Sequence, residues 1–156
     1  MSVTMKLEGF AELEAELDRL SRAAGKGALR RALRTAAEPL AERMRANAPT
    51  DEHELEESIA VSTKLSPRQR KAHRKTVRDD KASVEMFVGA GPLPQAHLQE
   101  FGTVSNPPQP WARPAWEAEK GPILDRLREE LKAEIDKSVR RAEARAARAA
   151  RAAAKG

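Results

Sequence analysis

The sequence contains no cysteine, and aromatic residues are scarce. Without cysteine the chain can form no disulfide, bind no metal through thiolates and use no thiol nucleophile, and a reducing compartment suits it. Three Phe, two Trp and no Tyr among 156 residues leave few large side chains for a core, so little apolar area is available to bury. We therefore expect one thin domain that gains stability by associating with further subunits.

Long apolar runs are also missing from the sequence. No stretch approaches the roughly 20 apolar residues that span a bilayer. The N-terminus lacks the basic and then apolar pattern of a secretion signal. We expect no membrane partner, and we expect synthesis and use in a cytoplasm.

The net charge of +5 is unevenly distributed along the chain. Residues 139–156 carry six basic side chains against the single acidic Glu143, which equals the net charge of the whole chain. A second basic segment, residues 66–81, carries seven Lys or Arg against two Asp. The basic balance therefore belongs to appendages, and it does not by itself indicate a nucleic-acid-binding domain.

These two basic segments allow two interpretations. Arginines in the C-terminal segment are spaced by four, three and three residues, which forms a helical stripe that can follow phosphates. Neither segment contains an aromatic residue, so base stacking is not expected. The alternative is a solvated, partly frayed helix. The candidate contacts with DNA or an acidic partner are Arg68, Arg70, Lys71, Arg74, Arg141, Arg145, Arg148 and Arg151.

Helical periodicity dominates the N-terminal part of the chain. Apolar residues recur every three or four positions over residues 10–20, which predicts a first helix that Gly25 and Gly27 end. A second helix is predicted from about Ala28 to Ala46, and Pro39 inside it should remove a backbone hydrogen bond and kink it.

Two strands are predicted in the middle of the chain. Pro49 closes the second helix, and Thr50–Glu57 forms a polar, acidic loop. Alternating apolar residues then predict strands at Ser58–Leu65 and Ala82–Gly89, which we expect to pair antiparallel. The basic residues 66–81 between them form either a mobile arm or a short projecting helix, since the segment is long for a hairpin loop.

The C-terminal part again indicates helices. Gln95–Glu100 is expected as a helical turn or a short extended piece, and Arg113-Pro114 starts a helix because proline suits the first helical turn. Gly121-Pro122 is expected to break that helix. The apolar period of Ile123–Val139 predicts a final amphipathic helix that fades into an Ala/Arg-rich tail.

This order predicts an α+β fold, with N-terminal helices and a long C-terminal helix packed on a small antiparallel sheet. We assign residues 1–138 to a single domain with a basic insertion at 66–81. Residues 139–156 form a basic, Ala/Arg-rich helical tail.

The sequence gives no sign of catalysis, and we expect no enzyme, no cofactor and no metal site. His53 lies among the acidic residues 51–54, but the spacing matches no zinc-binding pattern. His97 and Glu100 are three residues apart and could share one side of a turn, without an evident third ligand. There is no Gly-rich phosphate loop and no recognisable pair of nucleophile and base.

The segment from Leu98 to Trp116 carries the most specific pattern. It consists of a Glu-Phe-Gly-Thr box at residues 100–103, a proline-rich spacer at 107–110, and Trp-Ala-Arg-Pro-Ala at 111–115. Gly102 supplies a turn that a side chain would obstruct. Two of the five aromatic residues flank the spacer, which suggests a packed corner, and the prolines stiffen it. Arg113 could pair with Glu100 within one subunit or across a boundary.

This segment resembles a family of tailed-phage tail components, the tail-completion or head–tail joining proteins. The resemblance also covers an opening helix with Gly and repeated Leu, an Ala-Pro pair at 48–49, and a Gly-x-Leu-x-x-Ser-Ile stretch ending at Ile59, in order over roughly residues 9–135. Three positions depart from the family pattern: Trp111 stands for Phe, Ala96-His97 for Tyr-Ala, and His53-Glu54 stand where the family has Gly.

The resemblance implies a structural virion protein at the head-proximal end of a phage-like tail, assembled in a host cytoplasm as a ring, expected to be a homohexamer. The tail tube protein and a head connector or adaptor would be its partners, and DNA would pass through the lumen. The implied subunit-interface residues are Glu100, Phe101, Gly102, Thr103, Pro110, Trp111, Arg113 and Pro114. The alternative function is a small basic DNA-binding architectural protein. An infectious phage, a defective prophage and a gene-transfer particle are all compatible with the pattern.

Overall fold

The computed structural model describes residues 10–50, 53–76 and 84–156. These residues form six helices and two short antiparallel strands, which confirms the predicted α+β class and the long C-terminal helix. In chain order the elements are α1 (Ala11–Arg19), α2 (Arg22–Asn47), α3 (Glu54–Ser58), β1 (Ile59–Ser62), α4 (Pro67–Thr76), β2 (Phe87–Ala90), α5 (Pro94–Phe101) and α6 (Ala112–Ala154).

The turn between α1 and α2 differs from the prediction. Gly25 and Gly27 do not end the first helix but lie inside α2. The turn is instead made by Leu20, whose backbone is extended, and by Ser21, whose hydroxyl accepts a hydrogen bond from the Ala24 amide at 3.3 Å. A serine N-cap satisfies one of the unpaired amides at a helix start, so no glycine is needed there. The prediction was wrong because glycine was weighted above the cap.

The pairing of α2 with α6 forms the backbone of the domain. α2 continues past Pro39 without ending. It buries a row of mostly small residues, which lets the axes of α2 and α6 approach closely. Ion pairs join the helices along their length: Arg31 binds Glu134 at 2.6 Å, and Arg43 binds Glu119 at 2.8 Å. The buried row consists of Ala28, Ala32, Ala36, Ala37, Leu40, Ala41 and Met44.

The second buried carboxylate of this seam, Glu119, also binds Arg126 of its own helix. The Arg126 guanidinium holds the pKa of Glu119 below its ordinary value against the opposing effect of burial, and Arg43 adds to it. Hydrogen bonding from Arg31 does the same for the pKa of Glu134. The seam between α2 and α6 is thus held by charged groups as well as by alanine packing.

The expected break at Gly121-Pro122 does not occur, because α6 is continuous from Ala112 to Ala154. Both residues lie on the exposed side of the helix. Glu119 and Arg126, just before and after them, are tied to α2 by the Arg43 ion pair and by a hydrogen bond to the Ala36 carbonyl. Proline removes one backbone hydrogen bond, and these contacts with α2 hold the helix in line across that gap.

The sheet is shorter than predicted, although the antiparallel pairing is confirmed. β1 and β2 each have four residues, with Ile59 opposite Ala90 and Ser62 opposite Phe87. Ile59 and Val61 are buried as the alternation predicts. Part of the predicted loop at 50–57 is helical instead, since α3 begins at Glu54; residues 51–52 lie outside the described part of the chain.

Residues 66–81 and residues 95–100 each had a helical and a non-helical alternative. In both segments the structure shows a helix. α4 occupies Pro67–Thr76, while residues 77–81 and Ala82, where the second strand was expected to begin, lie outside the described residues. α5 occupies Pro94–Phe101, with proline in its first turn.

Two hydrophobic clusters make up the core. One joins α1, α2 and α6 around Leu13, Ala32, Leu131 and Ile135. The larger one joins the second half of α2 to α3, the sheet, α5 and the first turn of α6. Its buried members are Ala37, Leu40, Ala41, Met44, Ala48, Leu55, Ile59, Val61, Ala96, Trp111 and Ala115. In the described part of the chain no helix is long and apolar enough to cross a membrane.

Candidate assembly surface

The segment from α5 to the first turns of α6, residues 94–116, is called the corner below. α5 buries Ala96 and Glu100, which are four residues apart on one face, and exposes Leu98 and Phe101 on the other side. A loop then reverses the chain, and the Gln109 amide donates a hydrogen bond back to the Gln99 carbonyl at 2.8 Å. The corner therefore closes on itself before α6 begins.

Glu100 is the centre of the corner. The residue is 5% exposed, and its carboxylate accepts hydrogen bonds from the amides of Trp111, Ala112 and Arg113 at 2.7, 2.8 and 3.1 Å. Arg113 Nε also donates to the carboxylate at 2.8 Å, and its Nη2 donates to the Glu100 carbonyl at 3.0 Å. The expected pair of Glu100 and Arg113 thus forms inside one subunit. A carboxylate at a helix N-terminus satisfies unpaired amides and complements the helix dipole.

Burial and hydrogen bonding act on Glu100 in opposite directions. Burial is the largest single influence and by itself raises the pKa of the carboxyl group. The amides of Ala112, Trp111 and Arg113 and the Arg113 side chain together outweigh it, so the pKa lies below its ordinary value. Glu100 is therefore ionised at neutral pH, and it acts as a fixed structural anion for the start of α6.

Gly102 makes the turn that follows α5. Its φ is +76°, and its amide caps the helix by donating to the Leu98 carbonyl at 2.8 Å. A Cβ atom at this position would lie 2.7 Å from the Pro108 nitrogen and 2.9 Å from the Asn106 carbonyl oxygen. Thr103 then closes the loop, because its hydroxyl accepts from the Asn106 amide at 3.0 Å. Glycine is required here both by the left-handed backbone and by the proline-rich spacer packed against it.

The two aromatic residues of the motif have different environments, contrary to the expectation that both pack into the corner. Trp111 is 5% exposed; its indole Nε1 donates to the Ala96 carbonyl at 3.1 Å, and its own carbonyl accepts from Asn47 Nδ2 at 3.3 Å. Phe101 is 55% exposed. Trp111 is a core residue of the subunit, whereas Phe101 projects from it.

Phe101 belongs to an exposed apolar patch, defined here as Leu98, Phe101 and Val104. Leu98 is 50% exposed, and Val104 is fully exposed at the tip of the loop. The Phe101 ring is oriented by its neighbours: the Arg113 guanidinium carbon lies 4.9 Å from the ring centroid, and the His97 ring lies 5.0 Å away. Three large apolar side chains at the end of α5 and on the loop that follows it form a surface typical of a contact with another protein.

A second apolar surface lies beside the patch. It is an open groove of about 770 Å³ between α2, β2 and α6, and Trp116, 39% exposed, lines it. Arg113 lines the groove and also contacts Phe101, so it lies between the groove and the patch. Apolar side chains that line the groove include Leu33, Leu40, Met44, Met86, Val88, Trp116, Ile123, Leu124 and Leu127.

The remaining predicted interface residues occupy the surface of the corner. Thr103 and Pro110 lie on the exposed loop, and Pro114 lies exposed in the first turn of α6. Asn47 and Ala96, which hold Trp111, and Leu98 and Val104, which extend the patch, were not predicted. Leu98 could have been found from its spacing, since it is three residues from Phe101 on a helix; the Asn47 contact spans 64 positions and leaves no local signal.

The basic candidates lie on two separate helices. Arg68, Arg70, Lys71 and Arg74 are all exposed on α4, which contacts the sheet through His73; His73 Nε2 lies 2.9 Å from Glu85 Oε1, and its ring meets Phe87 edge to face. Arg141, Arg145, Arg148 and Arg151 are exposed on the last turns of α6, beyond Ser138, the last buried residue of that helix.

No metal site is evident among the described residues, where no three His, Asp or Glu side chains converge. His53 lies 3.3 Å from Glu56 and has a left-handed backbone, with φ of 55°. It stands where the resemblance has glycine, which adopts this conformation at little cost. His97 packs on Phe101, and the Glu100 carboxylate is already engaged by α6, so this pair is not a metal site.

Comparison with known proteins identifies a family. Residues 11–102 match the model of a family described as "Bacteriophage HK97-gp10, putative tail-component". No curated protein and no solved structure matches the chain. The matched residues run from the start of α1 to Gly102 of the corner and make up more than half of the chain. The protein therefore belongs to the HK97-gp10-like family of phage tail components and is a virion protein of a phage-like tail.

Proposed function

We propose that the protein is a non-enzymatic structural subunit that completes the head-proximal end of the tail tube as a homohexameric ring. In this position it joins the tube to the head connector, and DNA passes through its lumen. The observation that carries the proposal is the exposed patch of Leu98, Phe101 and Val104 on a hydrogen-bonded corner, in a member of a tail-component family.

The rigidity of the corner favours its use in assembly. Glu100, Gly102 and the proline-rich spacer fix the loop before any partner arrives, so little conformational entropy is lost on docking. The patch has no apolar cover within the described residues, although these side chains are among the few large ones of the chain. Solvent exposure of such side chains is unfavourable unless a partner covers them.

Two different apolar surfaces on one subunit suit a ring. A closed ring forms when one patch of each subunit meets a different patch of the next and the rotation closes. We assign the patch and the groove beside Trp116 to these two roles, so that Phe101 of one subunit inserts into the groove of its neighbour. The occupant of the groove is then a second copy of this chain.

Mixing two variants tests this arrangement. Phe101→Arg removes the patch, and Trp116→Glu places a charge in the groove, while both positions are exposed enough for the subunit to fold. Sedimentation velocity should show rings for the unmodified protein and monomers for each variant alone. An equimolar mixture should give heterodimers and no rings, because only one intact patch and one intact groove remain to meet.

Val139→Arg is the matched control, since Val139 is as exposed as Trp116 and lies in neither surface. It should form rings like the unmodified chain. Rings formed by either test variant alone would contradict the assignment of the surfaces. A protein that stays monomeric at every concentration and does not attach to purified tails would contradict the ring itself.

A further inference from the structure

The last turns of α6, residues 139–156, are called the C-terminal extension below. Every residue in it is exposed. Its six basic side chains form no ion pair within the part of the chain that the structure describes, whereas eight ion pairs of Lys or Arg with a carboxylate form elsewhere in that part. Like charges three and four residues apart repel along a helix. The extension is therefore a helix whose charges have no internal compensation.

The basic side chains share one side of this helix. At 3.6 residues per turn they fall within an arc of about 140°, and from Arg140 to Lys155 they extend over about 22 Å along the axis. The rest of the helix surface beyond Val139 is alanine, apart from Glu143. This makes the extension slim as well as basic.

The side chains of the extension suit a phosphate polyanion better than an acidic protein as a binding partner. Protein interfaces depend mostly on a few large anchors, and among these Trp and Tyr stand beside Arg. Beyond Val139 the extension has no Trp or Tyr and no apolar side chain larger than alanine to form the buried centre of such an interface. Arginine, in contrast, has a planar fork that matches phosphate geometry. The absence of aromatic residues disfavours single strands, which are held by base stacking.

The dimensions of the extension fit duplex DNA. The major groove is about 12 Å wide and admits an α-helix. An alanine-rich helix occupies the groove with little side-chain bulk, and a basic arc of about 140° can reach phosphates on both sides of it. The extension has no Asn, Gln, Ser or Thr side chain to add base-edge contacts, so we expect phosphate contacts of its basic side chains to dominate.

We propose that residues 140–155 form a binding site for the phosphate backbone of double-stranded DNA, without sequence preference. The site is independent of the ring proposal, because it rests on the charge and exposure of the extension alone. In a ring, the sites of all subunits would act on the same duplex.

Salt-dependent binding of the full-length protein to a short labelled duplex tests the site by fluorescence anisotropy. The test variant changes Arg141, Arg145, Arg148 and Arg151 to Gln, which keeps helix propensity. The matched control changes Arg68, Arg70, Lys71 and Arg74 on α4 to Gln and removes the same charge. Four phosphate contacts give a slope of log affinity against log salt of about −3.6, or roughly a 150-fold loss between about 50 and 200 mM salt.

We expect the test variant to lose most of this slope and the α4 control to keep it. Equal losses in both variants would overturn the proposal, because net charge rather than the extension would then decide binding. An unchanged slope in the test variant would also overturn it, as would equal affinity for polyglutamate or for single-stranded DNA. Ring formation by the test variant, measured in parallel, keeps this result separate from the proposed function: the variant should assemble like the unmodified protein.

Discussion

The corner and the C-terminal extension lie at opposite ends of the long helix α6, and they are built in opposite ways. At the N-terminal end, Glu100 satisfies the first amides of the helix and pairs with Arg113, and the surface that remains exposed is apolar. At the C-terminal end the charged side chains are unpaired within the described residues, and the exposed surface is basic.

This difference determines what kind of contact each end of the molecule can make. A rigid apolar surface loses little entropy on docking and gives contacts that salt does not weaken. A row of solvated arginines gives contacts that weaken steeply with salt and need no fixed geometry. Under the two proposals above, one end of the chain forms a permanent assembly contact and the other a reversible electrostatic one, so substitutions at the two ends should affect different measurements.

The largest effect is expected from Trp111→Ala in the corner. Removing a buried tryptophan leaves a cavity and removes the hydrogen bond from the indole to the Ala96 carbonyl, and it should lower the free energy of unfolding by about 4 kcal/mol. Urea unfolding followed by circular dichroism measures this. Trp116→Ala is the control, and it should cost less than about 1 kcal/mol because that side chain is partly solvated. A Trp111→Ala protein that keeps its stability but fails to assemble would instead make Trp111 an interface residue.

Glu100→Gln should have the next largest effect. The substitution keeps the shape of the side chain but removes the charge that faces Arg113 and the helix amides, at a cost of about 3 kcal/mol. The matched control is Glu117→Gln in the next turns of α6, since Glu117 forms only an exposed ion pair with Lys120; its loss should cost less than about 0.5 kcal/mol. Equal urea midpoints for the two variants would show that the corner does not depend on the buried carboxylate.

Gly102→Ala should destabilise the corner by about 2 kcal/mol, because a Cβ there is strained by the positive φ and approaches the Pro108 backbone. Gly91→Ala is the control, since a Cβ at Gly91 would meet nothing within 4 Å. Its unfolding free energy should stay within about 0.5 kcal/mol of the unmodified value. A harmless Gly102→Ala would mean that the loop can adopt another path.

Acid should gradually weaken both the corner and the seam between α2 and α6. The pKa values of Glu100, Glu119 and Glu134 are lowered in the folded protein. Their stabilisation is complete above the unfolded value of 4.5 and is lost as the pH falls from there through the folded pKa values. Urea midpoints measured from pH 7 to pH 3 should fall only below about pH 4.5, and less steeply for Glu100→Gln. Stability that declines already at pH 6 would point to other groups.

The smallest effect on stability is expected from removing residues 144–156. These residues are exposed and contribute no buried side chain, so the free energy of unfolding should change by less than about 0.5 kcal/mol. Binding to duplex DNA should be lost at the same time. A large drop in the thermal midpoint would show that the extension packs on the domain and is not the solvated arm described here.

Local patterns in the sequence predict much of this fold. The apolar periods identify the helices of the first 48 residues, and the alternation at Ile59 and Val61 identifies the buried face of the sheet. At Gly25 and Gly27 a local serine cap was missed, whereas elsewhere a distant contact outweighs a local rule. Gly121-Pro122 reads as a break, but Glu119 and Arg126 tie the helix to α2 on either side of it.

The corner could be predicted only in part, because some of its contacts join residues that are far apart in the sequence. The motif indicates a turn at Gly102 and allows a Glu100–Arg113 pair, and both are present. The capping function of Glu100 gave no local signal, because a capping box places its acidic residue three positions into the helix, while Glu100 precedes the Trp111 amide by eleven. Composition marks Phe101 and Trp111 as unusual, yet only the fold separates the buried residue from the exposed one.

The central claim is that the corner is stabilised by Trp111 and Glu100 and assembles through Phe101. The most direct test is Phe101→Ala, with urea unfolding and sedimentation velocity measured on the same preparation. The predicted result is a free energy of unfolding within about 1 kcal/mol of the unmodified protein together with loss of the ring. Rings of unchanged size in this variant, or a loss of stability as large as that of Trp111→Ala, would contradict the account.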